Sequence, residues 1–176
     1  PMPGPGLPPK QGLYDPRHEH DSCGVGFVVH LKGHRSHKIV DDALTALENL
    51  AHRGASGSEP NTGDGAGVLL QIPDEFFRHE CAQLSIRLPG RGEYGSGILF
   101  APPSARARAQ GQALFASIVE EEGQHFLGWR DVPTRNETVG ASALAAEPYV
   151  LQAFIGRGAN CDAGDDFERR LYVIRR

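Results

Sequence analysis

A cysteine at the head of an alternating apolar stretch is the feature that most constrains how this chain folds. Apolar residues occupy every second position from Val25 to Leu31, a period of two that predicts a β-strand. The opposite face begins with Gly24 and Gly26, so it carries no side chain close to Cys23. Glycine weakens a strand but lets another backbone or a ligand approach closely. The pattern therefore predicts a strand that presents an accessible thiol.

The clearest helix in the sequence follows this stretch. Ser36 is a suitable N-cap. Apolar residues recur at helical spacing from Ile39 to Ala51, with acidic residues on the opposite side. The helix is predicted to place Arg53 at its C-terminal end, where the helix dipole favours a cation. Arg53 therefore has a purely structural interpretation as a helix-end charge.

A glycine-rich connection comes next, at residues 61–67 (NTGDGAG). It lacks the Lys-Ser/Thr pair of a P-loop and does not follow a predicted strand, which argues against a phosphate site. We expect turns here, leading into a strand at residues 68–72, whose uninterrupted apolar run is typical of a sheet covered on both faces. Asp64 fits either a site carboxylate or an Asx-turn, and the turn is the slightly favoured interpretation.

The rest of the chain alternates between helix and strand patterns. The predicted elements are strands at residues 94–101, 125–130 and 148–155 and helices that begin at Asp74, Ser104 and Asp165. No glycine or proline stops the last helical pattern, so the chain is expected to end at or just inside it. The length of 176 residues favours about one domain.

Cysteine and histidine content indicates neither a disulfide framework nor a metal site. Cys23, Cys81 and Cys161 are an odd number of cysteines at no metal-ligand spacing, which predicts a reducing compartment and hence a cytoplasmic protein. Cys81 is expected on a helix face or at the surface and Cys161 in a polar stretch, both as small hydrophobic residues. The histidines within residues 30–37 straddle a turn without a carboxylate or thiolate at ligand spacing, so we expect them to face solvent.

Charge and hydropathy argue against two classes of partner. The formal net charge of -4 provides no basic field for nucleic acid. No apolar run approaches the roughly 20 residues of a membrane-spanning helix. Residues 1–10 (PMPGPGLPPK) lack the charged and apolar segments of a secretory signal. Their composition favours a flexible leader.

Four motifs together resemble the N-terminal part of the large subunit of glutamate synthase. In chain order they are residues 21–27 (DSCGVGF), 49–55 (NLAHRGA), 61–67 (NTGDGAG) and 127–133 (LGWRDVP). In that family this part is a class II glutamine amidotransferase domain of the N-terminal nucleophile hydrolase type, built as a four-layer αββα sandwich. The resemblance implies an α+β fold of this kind, present here only in part.

The resemblance also implies a division of the chain and a site. Residues 1–22 resemble a propeptide leader, and residues 23–176 resemble the N-terminal portion of the amidotransferase domain. Cleavage between Ser22 and Cys23 would expose Cys23 as the catalytic N-terminal nucleophile. The other residues implied to lie near the active site are Arg53, Thr62, Gly63, Asp64 and Gly65. No metal is implied.

The chemistry expected of Cys23 involves its own backbone. A thiol with a pKa of about 8.5 is activated when a free α-amine, with a pKa of about 8, provides a proton acceptor on the same residue. An amide nitrogen in front of Cys23 has a delocalised lone pair and cannot accept the proton, so the uncleaved chain is expected to be inert. The sequence shows no evident Cys–His pair, and the amine would remove the need for one.

The implied substrate is L-glutamine, whose ammonia would aminate 2-oxoglutarate to glutamate in a distant domain. This chain is expected to hold no cofactor, with FMN and a 3Fe-4S cluster in the rest of a full-length parent enzyme. The implied partners are the remainder of the large subunit and either a small electron-donor subunit or ferredoxin, without nucleic acid or membrane. In the family the Asn-Gly pair of the oxyanion hole lies downstream of Arg176, so this chain alone is expected to be inactive.

Two alternatives stay open on sequence grounds. One is a truncated, non-catalytic module that keeps Cys23 without its oxyanion donors, since losing one such donor in another enzyme costs about 10²–10³ in rate. The other is a different class II amidotransferase, although residues 12–27 and 62–67 resemble the glutamate synthase version specifically.

Overall fold

A computed structural model describes residues 9–13, 15, 24–51, 54, 59, 61–63 and 65–176 of the chain. The chain divides into two compact units, Pro1–Leu70 and Gln71–Arg176. We call them the first and the second unit.

Among the described residues of the first unit there is one α-helix, α1 (His37–Asn49). Ser36 occupies the N-cap position with an extended backbone, although its side chain makes no capping hydrogen bond. The apolar side of α1 is only half-buried, and none of its residues is fully buried. The predicted helix is therefore confirmed, but it ends before Ala51 and its apolar side is only partly covered.

The two strands predicted in the first unit do not form. Residues 24–30 and 65–72 have no regular secondary structure. Val25 is 91% exposed, Phe27 90%, Leu31 97% and Leu69 101%. Alternation specifies which side chains would share a face, but a strand also needs a neighbour to bond its N–H and C=O groups. No such neighbour forms a ladder with either segment in the described part of the chain, so both predictions were wrong.

The second unit is built on an antiparallel sheet of three strands, β1 (Tyr94–Ala101), β2 (His125–Asp131) and β3 (Tyr149–Gly156). The spatial order is β1-β3-β2, so β3 is bonded on both sides and residues 151–156 are buried. All three strands lie within one or two residues of their predicted bounds. The strand patterns were sufficient indicators here because each strand has a partner.

Four helices complete the second unit, namely α2 (Asp74–Gln83), α3 (Ala105–Glu121), α4 (Ala141–Ala145) and α5 (Asp165–Arg175). Ser104 caps α3, since its Oγ accepts a hydrogen bond from the Ala107 N–H at 3.5 Å. The predicted starts of α2, α3 and α5 are confirmed. The sequence analysis missed α4, because five residues are too few to show a helical period.

The helices cover both faces of the sheet. On one face α3 and α5 enclose a core of Val119, Ile155, Cys161, Phe167 and Ile174. On the other face α2 packs Phe77 and Cys81 against Tyr94 and Phe154. Ile155 and Phe154 are consecutive in β3, so their side chains point to opposite faces. The mixture of packed helices with an antiparallel sheet confirms the α+β class.

Candidate functional site

The structure describes only part of the predicted site. Thr62, Gly63 and Gly65 lie among the described residues. The predicted nucleophile Cys23, its neighbour Ser22 and the two charged candidates Arg53 and Asp64 lie outside them. The local geometry therefore comes from the segments on either side of these residues.

The segment that follows Cys23 passes close to the C-terminal end of α1. A Cβ built on Gly26 would lie 4.0 Å from Cδ1 of Leu50. Leu50 is the C-cap residue of α1, and its N–H bonds the carbonyl of Ala46 at 3.2 Å. Beyond it the Gly54 N–H bonds the Ala51 carbonyl at 3.1 Å. The chain just after the cysteine thus meets the helix end that precedes Arg53.

Thr62 closes a turn with Glu59. Its N–H bonds the Glu59 carbonyl at 3.1 Å, and its hydroxyl donates to Oε2 of Glu59 at 2.8 Å. Both residues are half-buried. Glu59 was not predicted from the sequence, although a carboxylate three residues before a threonine can accept from that hydroxyl across one turn.

Gly65 follows Asp64 with a backbone φ of +98°. Residues other than glycine rarely adopt this conformation, because their Cβ collides with the backbone. A Cβ at this position would meet no atom within 4 Å, so backbone conformation and not crowding favours glycine. Together with the turn at Thr62, this confirms a turn-rich connection.

The histidines of the first unit have local partners. Nδ1 of His30 accepts from the backbone N–H of Lys32 at 3.2 Å and of His34 at 3.3 Å, and the His30 and His34 rings stack at 4.8 Å. His37 pairs with Asp41 at 3.1 Å across one helical turn. Across the described ranges, no three His, Cys, Asp or Glu side chains are grouped so as to hold a metal ion.

Cys81 and Cys161 are both buried in the second unit, at 0% and 4% exposure. Burial raises the pKa of the Cys81 thiol. Burial also raises the pKa of the Cys161 thiol, and a hydrogen bond with Asp166 adds to the rise. Because the thiolate is the reactive form, both cysteines are poor nucleophiles at neutral pH. Their interpretation as small hydrophobic residues is confirmed, whereas the surface alternative for Cys81 was wrong.

A buried charge cluster in the second unit was missed by the sequence analysis. Oδ2 of Asp74, which is 8% exposed, accepts from Nε of Arg78 at 3.0 Å and Nε of Arg91 at 2.9 Å. Its Oδ1 accepts from the Tyr94 hydroxyl at 3.0 Å. The spacing of Asp74 and Arg78 within one helical turn could have been noticed. Arg91 and Tyr94 lie 17 and 20 residues from Asp74 in sequence, so only the tertiary fold brings them to its carboxylate.

The cluster is poorly suited to acid–base catalysis. The hydrogen bond from Arg78 is the main cause that lowers the pKa of Asp74 to about 2, against an opposing effect of burial. Burial, followed by the hydrogen bond to Asp74, raises the pKa of Tyr94 to about 12. At neutral pH the carboxylate therefore stays ionised and the phenol stays protonated. A useful general acid or base has a pKa near the working pH, so we assign this cluster a structural role.

One shallow depression opens on the second unit. Its lining residues are Pro103, Val132, Thr134, Glu147, Pro148, Tyr149 and Val150. Its ionisable carboxylate, Glu147, already accepts a hydrogen bond from Asn136 Nδ2 at 2.6 Å. None of the predicted site residues lines it. The depression therefore contributes no nucleophile to the candidate site.

No helix in the described part of the chain combines the length and the apolar character needed to cross a bilayer. This agrees with the absence of a long apolar run in the sequence.

Comparison with known proteins gives a consistent result. Residues 23–176 match the family model described as glutamine amidotransferases class-II. The chain is 46% identical over 97% of its length to the glutamate synthase [NADPH] large chain of Bacillus subtilis. It is 44% identical over 97% of its length to the glutamate synthase [NADH] of Schizosaccharomyces pombe. It is 40% identical over 90% of its length to the chloroplastic ferredoxin-dependent glutamate synthase 2 of Arabidopsis thaliana.

The chain spans 11%, 8% and 10% of the length of these three relatives, respectively. The family match, in contrast, covers almost the whole chain and begins at the predicted nucleophile, Cys23. The sequence motifs, the α+β fold and the family match agree, and this chain belongs to the class II glutamine amidotransferases.

Proposed function

We propose that this chain is the N-terminal portion of the glutaminase part of a glutamate synthase large subunit and that Cys23 is its N-terminal nucleophile once residues 1–22 are removed. The observation that carries the proposal is the start of the family match at residue 23. A domain whose first matched residue is a cysteine suits a mechanism in which that cysteine also supplies the α-amine. The same observation supports the division into a leader, residues 1–22, and a domain portion, residues 23–176.

The proposed reaction uses both functional groups of Cys23. The α-amine takes the proton of the thiol, and the thiolate attacks the carboxamide carbon of the glutamine side chain. The tetrahedral oxyanion collapses, the C–N bond breaks, and the protonated amine returns a proton to the departing ammonia. A thioester between glutamate and Cys23 remains. Water, deprotonated by the same amine, then hydrolyses the thioester and releases glutamate and the free thiol.

The leader would keep the precursor inert. With Ser22 still attached, the nitrogen of Cys23 is an amide and cannot act as a base. Cleavage of the Ser22–Cys23 bond creates the base in one step. We therefore expect processing and activation to coincide.

Arg53 is proposed to lie beside the nucleophile. The approach of Leu50 to Gly26 supports this, because Cys23 precedes Gly26 by three residues and Arg53 follows Leu50 by three. The alternative role as a helix-end charge is less favoured, since α1 ends at Asn49 and the dipole effect fades beyond the last turn.

The Thr62–Gly65 turn is proposed to border the same site. The Thr62 hydroxyl is bonded to Glu59, so we assign Thr62 to shaping the turn rather than to binding glutamine. Gly65, with its positive φ, holds the backbone after Asp64 in a form that few other residues adopt. Asp64 then serves either as a site carboxylate or as a turn residue.

In the parent enzyme, residues 23–176 are proposed to contribute to the four-layer αββα sandwich. The exposure of Val25, Phe27, Leu31 and Leu69 at 90% or more supports this, because exposed apolar side chains suit a surface that a further layer covers.

The parent enzyme is proposed to pass ammonia from glutamine to 2-oxoglutarate in nitrogen assimilation in the cytoplasm. The relatives named above are NADPH-, NADH- and ferredoxin-dependent enzymes, which supports a partner that delivers electrons. FMN and a 3Fe-4S cluster are assigned to the rest of the parent protein.

The first test compares the cleaved and uncleaved forms of this chain. Intact mass defines each form, and alkylation by iodoacetamide is followed by peptide mapping across a pH series. Cys23 should react at lower pH in the cleaved form, because a protonated α-amine lowers the thiol pKa. Cys81 and Cys161 are buried and serve as internal controls with unchanged, slow alkylation. Identical Cys23 profiles in the two forms would refute the N-terminal nucleophile assignment.

The second test uses a processed glutamate synthase chain that contains these residues. Cys23→Ala should abolish ammonia release from glutamine. Arg53→Lys should lower the glutaminase rate at least about tenfold, or about 1.4 kcal/mol of barrier, because lysine keeps the charge but loses the planar fork. Arg135→Lys is a matched control, since Arg135 is an 88% exposed side chain paired with Glu137. Normal turnover of Arg53→Lys with an unchanged melting temperature would support the helix-end role instead.

A further inference from the structure

A turn in the first unit is held by both the main chain and the side chain of Glu59. The Thr62 N–H donates to the Glu59 carbonyl at 3.1 Å, which closes a four-residue β-turn. The Thr62 hydroxyl donates to Oε2 of the same glutamate at 2.8 Å, a normal length for an O–H···O hydrogen bond. Glu59 therefore restrains Thr62 at two points.

Both hydrogen bonds form within four consecutive residues, so they need no other part of a parent polypeptide. The sequence places a proline directly after Glu59, and proline is favoured at the second position of such turns. Glu59 and Thr62 are half-buried, which reduces the competition of water for the hydrogen bond between their side chains. The other described residues between positions 59 and 65 are exposed, namely Asn61, Gly63 and Gly65.

The residues that follow Thr62 gain most from such an anchor. Gly63 and Gly65 have no side chains, and glycine loses more conformational freedom on ordering than any other residue. Gly65 has a φ of +98°, and a Cβ built on it would meet no atom within 4 Å. Side-chain packing therefore does not fix the backbone at Gly65. An anchor just before these glycines reduces the number of conformations that the segment can adopt.

We propose that Glu59 is a positioning residue for the glutaminase reaction, because it fixes Thr62 and thereby the Thr62–Gly65 turn. This role rests on the proposed function, in which that turn borders the site of Cys23. Glu59 acts through Thr62 and does not touch glutamine. A misplacement of about 1 Å near the reacting atoms can cost about 10²-fold in rate. A residue that never contacts the substrate can therefore control turnover.

The single proton of the Thr62 hydroxyl separates this role from direct catalysis. A threonine hydroxyl has one O–H to donate, and in Thr62 it is donated to Glu59. While that hydrogen bond is intact, Thr62 has no second proton to offer to a developing oxyanion. An ionised carboxylate only accepts hydrogen bonds, so it keeps the hydroxyl in this orientation. The pair therefore suits an anchor beside the site better than a donor within it.

The test uses a processed glutamate synthase chain that contains these residues and measures ammonia release over a range of glutamine concentrations. Glu59→Ala and Thr62→Val each remove the hydrogen bond between the side chains and keep the backbone groups of the turn. Each should lower kcat at least about tenfold and change the KM for glutamine by less than about threefold, since the anchor does not contact the substrate. Glu59→Gln keeps an acceptor and Thr62→Ser keeps the donor, so both should stay within about threefold of the unmodified kcat.

Two comparisons separate positioning from a general loss of stability. Thr45→Val is the matched control, since Thr45 Oγ1 donates to the Asp41 carbonyl at 2.9 Å within α1, and it should leave kcat unchanged. The double variant Glu59→Ala with Thr62→Val should be no slower than the slower single variant, because both substitutions remove the same hydrogen bond. Thermal unfolding checks that every variant is folded at the assay temperature.

A normal kcat in Glu59→Ala or Thr62→Val would overturn this role. Additive losses in the double variant would also overturn it, because the two side chains would then act separately. Glu59→Gln as slow as Glu59→Ala would overturn it as well, because an acceptor for the hydroxyl would not be sufficient. Since the two single variants remove one hydrogen bond from opposite ends, either of them tests the role if the other fails to fold.

Cys23→Ala distinguishes a failure of this role from a failure of the proposed function. If Cys23→Ala is inactive and Glu59→Ala is normal, only the role of Glu59 is refuted. Ammonia release by Cys23→Ala at the unmodified rate would overturn the proposed function and the role of Glu59 together.

Discussion

Phe27 and Phe154 both lie in apolar stretches that predict strands, but their surroundings are opposite. Phe154 lies in β3 between two bonded strands, is 0% exposed and meets the Phe77 ring edge-on at 5.2 Å. Phe27 lies in a segment without regular structure and is 90% exposed. The difference shows that alternation assigns side chains to a common face, whereas burial depends on a neighbouring strand and a covering helix.

One ion pair from each unit shows a similar difference in burial. On α1, Lys38 pairs with Asp42 at 2.6 Å, but both side chains are exposed, so solvent weakens the attraction. In the second unit Asp74 is buried among two arginines and a tyrosine. Removing a partner from such a buried cluster leaves uncompensated charge, which costs far more than removing an exposed partner.

The largest expected difference between the units is in amide exchange. Amides of β3 should exchange about 10³-fold or more slowly than those of residues 24–31. A doubly bonded central strand opens only near global unfolding, which costs about 5 kcal/mol or more. Hydrogen–deuterium exchange followed by mass spectrometry measures both segments in one sample. Comparable exchange rates would remove the contrast between the units.

Replacing each of the two phenylalanines by alanine tests the difference in burial through the free energy of unfolding. Phe154→Ala should lower the free energy of unfolding by about 3–5 kcal/mol, because it leaves a cavity against Phe77 and loses the buried ring. Phe27→Ala should change it by less than about 0.5 kcal/mol, as expected for an exposed side chain. Urea unfolding followed by fluorescence measures both. A similar cost for the two variants would show that Phe27 is buried in solution.

The buried carboxylate should show a smaller effect that depends on pH. Asp74→Asn should cost roughly 2 kcal/mol at neutral pH, since hydrogen bonds to a charged group are lost. The folded-state pKa of about 2 lies below the ordinary value of 3.8. This contribution is therefore complete above about pH 4 and is lost as the pH falls toward 2. Urea unfolding across this range should give a flatter pH profile for the variant than for the unmodified chain.

Asp42→Asn is the matched control for that measurement. Asp42 bonds a single exposed lysine, so its removal should cost within about 0.5 kcal/mol at neutral pH. If Asp42→Asn flattened the acid profile as much as Asp74→Asn, the stabilisation would not belong to the buried cluster.

The smallest expected effect concerns a close contact between sheet and helix. A Cβ on Gly95 would approach Leu171 Cδ1 to 2.6 Å, whereas one on Gly97 would meet no atom within 4 Å. Gly95→Ala should therefore cost about 1 kcal/mol, because the flexible leucine end must shift. Gly97→Ala, two residues along the same face, should be neutral or slightly stabilising. Thermal unfolding of the pair measures the difference, and equal melting temperatures would show that Leu171 repacks without cost.

Much of the second unit was predictable because its local patterns agree with its tertiary structure. The strand patterns at residues 94–101, 125–130 and 148–155 and the cap at Ser104 were confirmed as β1, β2, β3 and the start of α3. Side-chain period and capping chemistry are local properties. They are therefore visible in the sequence wherever the fold supplies the expected partners.

The candidate site was predictable mainly through its motifs. Residues 21–27, 49–55 and 61–67 indicated the family to which the chain belongs, and the match over residues 23–176 confirmed it. The role of Thr62 was less visible, because its bond to Glu59 depends on how the turn closes. The placement of Cys23, Arg53 and Asp64 stays a prediction.

The sequence by itself determined the family, the nucleophile candidate and the elements whose patterns are local. Only the tertiary structure decided that β3 lies between β1 and β2, that Arg91 and Tyr94 converge on Asp74, and that residues 25–31 do not form a strand. The physical reason is that sheet order, burial and ion pairing depend on contacts between residues distant in the chain. A local pattern can permit such contacts, but only the folded arrangement of the elements creates them.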